Sequence, residues 1–404
     1  MSPVHPRYRV GFMMEQALGH ITHHRALEAQ VAADASLRAT WITLPHQADD
    51  TWQRLPGFSR QMSLLLSLRA RSGLRAHGRA EDRFDGLFFH TQVSALLAHR
   101  LMRRIPTVLS LDATPLNADP SPPAQPNSFT RRPSGEHPLE RAKYAWTRRT
   151  FDLAAGLVAW SEWARRSLLS DYGIPDHKIA VIPPGVDLVA WQPNPQPRVG
   201  KPRILFVGAH FERKGGQMLL EAVKGLGRRA DLHLVTPERS VASDPGRGIH
   251  VHHEMRINSP ALRDLYAQAS LFVLPSLNDC MPMAVLEAMA SGLPVIASDV
   301  GAVREQVKDG VTGLLVRPGD PGALTGAINA LLDNPPRCRA MGIAGRQRAE
   351  ERFSARSNYP RVLGLIKRCI DESRAGRARA AGRFDASDED LDLQPAHHAW
   401  PSEC

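Results

Sequence analysis

One feature decides most of what this chain can fold into: short apolar runs alternate with helix-like stretches, and the whole alternation occurs twice. The first round holds YRVGFMM at 8–14, RATWITLP at 38–45, FDGLFFH at 84–90, PTVLSLD at 106–112 and AAGLVAW at 154–160. The second holds RILFVG at 203–208, DLHLVT at 231–236, GIHVHH at 248–253, LFVLPS at 271–276 and PVIAS at 294–298. Apolar runs this short fit strands covered on both faces, and the helical stretches between them supply the crossovers that a parallel sheet requires. Between the rounds, WQPNPQPRVGKPR loses periodicity and gains proline, which predicts a linker over 191–203. The expected fold class is α/β: two parallel-sheet domains, over 1–190 and 204–352, with a cleft between them.

Composition bounds the function. The chain has 404 residues, 43% hydrophobic and 23% charged, as a folded protein with ample core requires. Its 51 Lys and Arg against 41 Asp and Glu give a formal charge of +10. That charge suits an anionic partner, whether nucleic acid, an acidic membrane surface or a phosphorylated small molecule. No recognition motif or aromatic-basic stacking platform accompanies it, so no nucleic acid is expected. Cys280, Cys338, Cys369 and Cys404 lie far apart without CxxC spacing, which argues against zinc or a disulfide framework. No signal core opens the chain and no apolar run reaches about 18 residues, so a cytoplasmic protein is expected.

Three segments break the rhythm. Residues 59–79 interleave leucines with Arg60, Arg69, Arg71, Arg75 and Arg79. They read equally as a helix packed on the first domain and as a membrane-surface helix. Residues 115–138 carry seven prolines and read as a functional or disordered loop. Residues 373–404 collect arginines, then acids, and read as a disordered tail. The Asp390-Leu391-Asp392 triplet in that tail has no strand before it and is not read as a metal site. Nor is the His23-His24 pair, which lacks a third ligand.

The sharpest chemistry lies in PSLNDCMPMAVLEAMASGLPVIASDVG, 275–301. A strand ends at Ser276, a loop carries Asp279, and a helix begins near Pro282 and stops at Gly292. Glu287 sits among Val285, Leu286, Ala288 and Met289, where a carboxylate needs hydrogen-bond partners. With Asp279 it is able to face one pocket at a helix N-terminus, a setting that suits a phosphorylated, hydroxyl-rich ligand. By spacing alone, Glu287 equally fits a satisfied core carboxylate and Asp279 a helix cap. The second constellation, GAHFERKGG at 208–216, places Arg213 and Lys214 where a helix begins, with Gly215 and Gly216 permitting close backbone approach. Two cations there make an anion site, and a solvated surface pair is the plainer alternative.

Together with AAGLVAWSEWARRSLLSDYGIPDHKIAVIPPGVD and GAVREQVKDGVTGLLV, these motifs resemble the retaining family-4 glycosyltransferases, most strongly over 150–355. The resemblance implies the GT-B fold, two Rossmann-like domains facing across a cleft. The first would take the acceptor, rejoined by a C-terminal helix near 355–372, and the second the nucleotide-sugar donor. Arg213 and Lys214 would hold the donor diphosphate, without a metal or other cofactor. Glu287 would bind the ribose hydroxyls, and Asp279 would contact the transferred sugar, helped by the backbone at Met281, Pro282 and Met283. Gly208 and Gly215 would shape the diphosphate turn. Two departures stand out: Asp279 replaces the usual glutamate, and Cys280 occupies a position often held by glycine.

In the first domain the resemblance points to the loop with Gly19 and His20, and to Asp112 where many relatives carry a histidine near the sugar. His90, Trp160 and Trp163 are read as packing residues. The implied partners are a nucleotide-sugar donor and a glycan or lipid-linked acceptor, the latter consistent with the inner face of a membrane. A non-catalytic nucleotide-sugar-binding module of the same fold is the alternative.

Overall fold

The computed structural model describes residues 7–46, 62–77, 83–118, 138–194, 200–226 and 229–388. The first half runs β1 (Tyr8–Gln16), α1 (Leu18–Ala32), β2 (Leu37–Pro45), α2 (Met62–Ala76), β3 (Gly86–His90), α3 (His99–Met102), β4 (Thr107–Leu111), α4 (Pro138–Leu153), β5 (Gly156–Ala159), α5 (Glu162–Ser170) and β6 (Ile179–Val181). Its strands pair in the order β2-β1-β3-β4-β5-β6, all parallel.

The second half runs β7 (Arg203–Val207), α6 (Gly216–Lys224), β8 (Asp231–Val235), β9 (Ile249–His252), α7 (Pro260–Gln268), β10 (Leu271–Leu274), α8 (Met283–Ala290), β11 (Val295–Ser298), α9 (Val303–Gln306), β12 (Gly313–Val316), α10 (Pro321–Leu332) and α11 (Pro335–Arg352). Its sheet, again parallel, has the order β12-β11-β10-β7-β8-β9.

Each sheet therefore starts with an interior strand, β1 or β7, and the strand order changes side there. Side chains at the carboxyl ends beside such a reversal converge on a crevice, the place where sheets of this kind bind ligands. Of the runs read as strands, β3, β4, β5, β10 and β11 are buried on both faces throughout, whereas the edge strands β2 and β9 are only partly buried.

A last helix, α12 (Ala355–Asp388), returns to the first half and packs on α1, β3, β4 and β5. Tyr8 donates its hydroxyl to Asp371 at 2.8 Å, and Lys367 pairs with Asp34 at 2.5 Å. This corrects the reading of 373–404 as disordered from its start, because α12 continues to Asp388. Its sequence there, SRAGRARAAGR, is rich in strong helix formers, and Arg374 gains Asp85 and Asp371 as partners. Residues 389–404, with the Asp-x-Asp triplet, lie outside the described residues, as do 119–137 of the proline-rich segment and 195–199 of the linker.

The Arg/Leu segment forms α2. Its Leu65, Leu66 and Leu74 are buried in the core of the first half, each worth roughly 1.5–3 kcal/mol of apolar burial. Arg69 is also buried and donates to the Pro45 carbonyl, leaving Arg71 and Arg75 on the exposed face. Leu65, Leu66 and Leu74 are thus core residues, while Leu64 and Leu68 are half-buried. Among the described residues, no helix is long and apolar enough to cross a membrane.

Candidate functional site

The site forms where the ends of β7 and β10 meet. After β7 the chain turns through His210 to Gly215, with Lys214 N–H donating to the His210 carbonyl and Gly215 N–H to Glu212. Gly215 adopts φ +75°, and a Cβ there would stand 1.9 Å from the Pro275 carbonyl oxygen, so only glycine fits. This grip aligns the turn with the Pro275–Cys280 loop. Leu277 N–H donates to the Arg213 carbonyl, and the Arg213 guanidinium donates to the Asn278 carbonyl, both at 2.9 Å.

Lys214 forms an ion pair with Asp279, which also accepts from Ser276 Oγ at 3.1 Å. Both charged side chains are largely buried, 15% and 10% exposed. Opposite charges at such a depth hold one another in place, and removing one strands the other at a cost of about 3–5 kcal/mol. Gly208 leaves the room this lysine needs, since a Cβ there would stand 3.0 Å from Lys214 Cβ.

Helix α8 starts after Pro282, and its first turn leaves N–H groups at Met283 and Ala284 without an intrahelical acceptor. Gly19 lies against this start, with a notional Cβ 3.4 Å from Met283 Cγ. Gly19 therefore faces the candidate donor helix, but from the first turn of α1 rather than from a loop, because the helix already begins at Leu18. Gly301, at φ +53°, presses on the other side of the loop, where a Cβ would stand 2.1 Å from the Asp279 carbonyl oxygen. Cys280 sits beside Asp112 and Asp279. Burial, with those carboxylates, holds its thiol well above the usual range, which favours a pocket-lining group over a reactive thiol.

Glu287 stands apart from Asp279 and takes its own partners. Tyr266 donates to Oε2 at 3.1 Å, and Thr22 of α1 donates to Oε1 at 3.4 Å across the two halves. Burial pushes the Glu287 carboxyl up to about 7, against the opposing pull of those two hydrogen bonds. The shared pocket read from spacing is thus two neighbouring environments, one ion-paired and one lined by hydroxyls.

The first half adds a polar cluster at the ends of its central strands. Glu15 accepts from Thr91 Oγ1 at 2.7 Å and lies 2.6 Å from His46 Nε2. Burial works against its charge, but His46, His20 and Thr91 outweigh it and hold the carboxyl down near about 2. His20 lies between Asp112 (3.6 Å) and Glu15 (3.8 Å). Burial opposes its charge as well, yet the two carboxylates lift the imidazole to about 8. His20 and Asp112 are therefore brought together as an ion pair at the crevice.

His90 is fully buried and stacked on Trp160 at 4.9 Å, a packing residue kept neutral by burial and by His23 and His20 beside it. His210, across the crevice, is held below its usual range by burial and by Arg213, Lys214 and His46. Among the described residues, no three His, Cys, Asp or Glu side chains are grouped to hold a metal ion.

Sequence reasoning passed over Glu15, His46, Thr91, Thr22 and Tyr266. Glu15 carried a readable signal, as the sole carboxylate at the end of the apolar run YRVGFMME. Tyr266 and Thr22 carried none, because only the fold brings them to Glu287.

One prediction arises from the first-half cluster. With a folded value near 8 against about 6.5 unfolded, His20 adds stability that is complete below pH 6.5 and lost as pH rises through 8. His20→Asn is expected to flatten the fall in thermal midpoint over that window, read by calorimetry. An unchanged slope would count against the ion pair.

Comparison with known proteins agrees with this architecture. Residues 34–189 match the model of Glycosyltransferase Family 4, and 201–334 that of Glycosyl transferases group 1. The MMP alpha-(1->4)-mannosyltransferase of Mycolicibacterium hassiacum is 33% identical over 223 residues, 53% of this chain and 54% of that protein. A D-inositol 3-phosphate glycosyltransferase of Kineococcus radiotolerans is 30% identical over 278 residues, 60% of this chain and 64% of that protein. The chain thus spans between half and two thirds of the length of these relatives. Sucrose-phosphate synthase of Thermosynechococcus elongatus shares the fold, with a TM-score of 0.72 over 91% of this chain and 100% of that one, at 19% identity. With two family models matched in tandem on two facing parallel sheets, the chain belongs to the family-4, group 1 glycosyltransferases of the GT-B fold.

Proposed function

We propose that the protein transfers a sugar from a nucleoside-diphosphate sugar to an acceptor hydroxyl with retention of anomeric configuration. The observation that carries this reading is the convergence of Arg213 and Lys214 on the Asp279 loop at the start of α8. In this reading Arg213, Lys214 and the helix N-termini take the charge that develops on the departing diphosphate. Electrostatic stabilisation of that kind is worth several kcal/mol. Glu287 receives the ribose hydroxyls in place of its present hydroxyl partners. Asp279 and the backbone from Met281 to Met283 face the transferred sugar. Gly19, His20 and Asp112 lie on the acceptor side, and same-face departure of the phosphate assists deprotonation of the incoming hydroxyl. The product class is a cell-surface polysaccharide, lipopolysaccharide or glycolipid, made at the cytoplasmic face.

The names of the relatives put mannose among the sugars and an inositol phosphate among the acceptors to be tried first. Calorimetry against UDP, GDP and ADP and their sugars tests donor binding, and product analysis with the tightest donor tests transfer. Failure of every nucleotide to bind overturns the proposal. Binding with neither transfer nor donor hydrolysis across a broad acceptor panel favours the non-catalytic module, for which the Asp279 and Cys280 departures speak.

The charge assignment makes a separate prediction. Transfer in excess chelator is expected to run at the full rate, and a strict requirement for a divalent ion overturns that part.

A further inference from the structure

Among the side chains that join the two halves beside the site, one is a carboxylate that caps a helix of the opposite half. Glu305, on α9 of the second half, accepts from the backbone N–H groups of Glu162 (2.9 Å) and Trp163 (2.8 Å) in the first half. These are the first two amides of α5, and the N-cap Ser161 takes the third, from Ala164 at 3.0 Å. A carboxylate on a helix N-terminus gains from both the hydrogen bonds and the helix dipole. Here the cap comes from the opposite half.

The segment bearing Glu305 is also fastened to the candidate donor loop. Ala302 N–H donates to the Cys280 carbonyl at 2.8 Å, and Gln306 Nε2 to the Pro282 carbonyl at 3.1 Å. Gly301 presses on the Asp279 carbonyl, and Arg348 donates to the carbonyls of Glu305 (2.7 Å) and Gln306 (2.8 Å). The stretch from Gly301 to Gln306 is therefore a short strut with the donor loop at one end and α5 at the other. A second bridge, Asn278 Nδ2 to the Ala118 carbonyl at 3.0 Å, leaves the same loop for the first half.

We propose that Glu305 is a positioning residue: by capping α5 it holds the Asp279–Pro282 loop in register with the opposite half when the two halves are together. The turnover arm of its test rests on the glycosyl-transfer reading, whereas the exchange arm does not.

The test uses the full chain and amide hydrogen exchange. In Glu305→Ala, the first turn of α5 and the 279–283 loop are both expected to exchange roughly tenfold or more faster, in line with the loss of hydrogen bonds to a charged group. Distant β12 stays unchanged.

Glu162→Pro supplies an independent variant. Proline is accommodated at the first helical position, and Ser161 already has the extended backbone that precedes proline (φ −150°, ψ 161°); beyond the Glu162–Arg165 ion pair, which Glu162→Ala removes as well, only the N–H is lost. It is expected to reproduce part of the effect and to add nothing in the Glu305→Ala background, while Glu162→Ala, which keeps the N–H, behaves as the parent. Faster exchange in α5 alone, or additive effects of the two variants, overturns the proposal. With a working donor, Glu305→Ala is expected to lower kcat about tenfold with little change in donor KM. A donor-KM effect with kcat intact also overturns it. If the parent chain transfers no sugar, the glycosyl-transfer reading fails, and the exchange result still decides the role of Glu305.

Discussion

Lys214→Ala is expected to lower sugar transfer by about a hundredfold or more, the usual scale for removing one fixed charge from a developing anion. This ammonium faces Asp279, and on the proposed reading an entering diphosphate would exchange one anionic partner for another. The substitution also strands a buried carboxylate that keeps only Ser276, so thermal stability is expected to fall with it. The two effects separate in the double variant Lys214→Ala, Asp279→Asn, which regains stability and leaves transfer low. Initial rates beside thermal unfolding read both. Full activity in a folded Lys214→Ala chain would falsify the assignment of this lysine.

Glu287→Ala is expected to weaken nucleotide binding by about tenfold to a hundredfold, the range set by losing charge-assisted hydrogen bonds to two hydroxyls. Glu287→Gln keeps the volume and isolates the charge. The carboxyl sits near 7 when folded and near 4.5 when free, so the folded state holds the extra proton between those values. Its contribution to stability is complete below about pH 4.5 and lost as pH rises through 7. The glutamine variant is expected to lack that decline while binding nucleotide more weakly at pH 8. Thermal midpoints over pH 4–8 and calorimetry at pH 8 check the two halves of this expectation, and an unchanged pH slope would place the ionisation elsewhere.

The strands were legible because parallel strands buried on both faces need uninterrupted apolar runs, and PTVLSLD or LFVLPS has no other economical reading. The second-half candidate residues lie together for a different reason. Asp279, Glu287, Arg213 and Lys214 lie in two continuous stretches, so their spacing survives into the fold. The partners of Glu287 come from α1 and α7, 265 and 21 residues away in the chain, and no local pattern carries them. The first-half cluster was hidden in the same way, being assembled from single residues after β1, β2, β3 and β4. His20 is the instructive case. Its sequence neighbours say nothing of Asp112, which is brought to it only by the pairing of β1, β3 and β4. The last helix was missed past residue 373 because charge dominated the reading, although the alanine and arginine content favoured helix throughout.

The two glycine contacts on the Pro275–Cys280 loop bear on how such a site diversifies. Gly215 grips one end at Pro275 and Gly301 the other at Asp279, each with left-handed backbone and no room for a Cβ. A loop pinned at both ends cannot lengthen, shorten or swing without unseating a grip. If the glycosyl-transfer reading holds, new donor preference is expected to come from exchanges at Cys280, Met281 and Met283, on a track whose course stays constant. Libraries restricted to apolar residues at those three positions should keep the fold, since Met281 and Met283 are buried, whereas insertions between 275 and 280 should not.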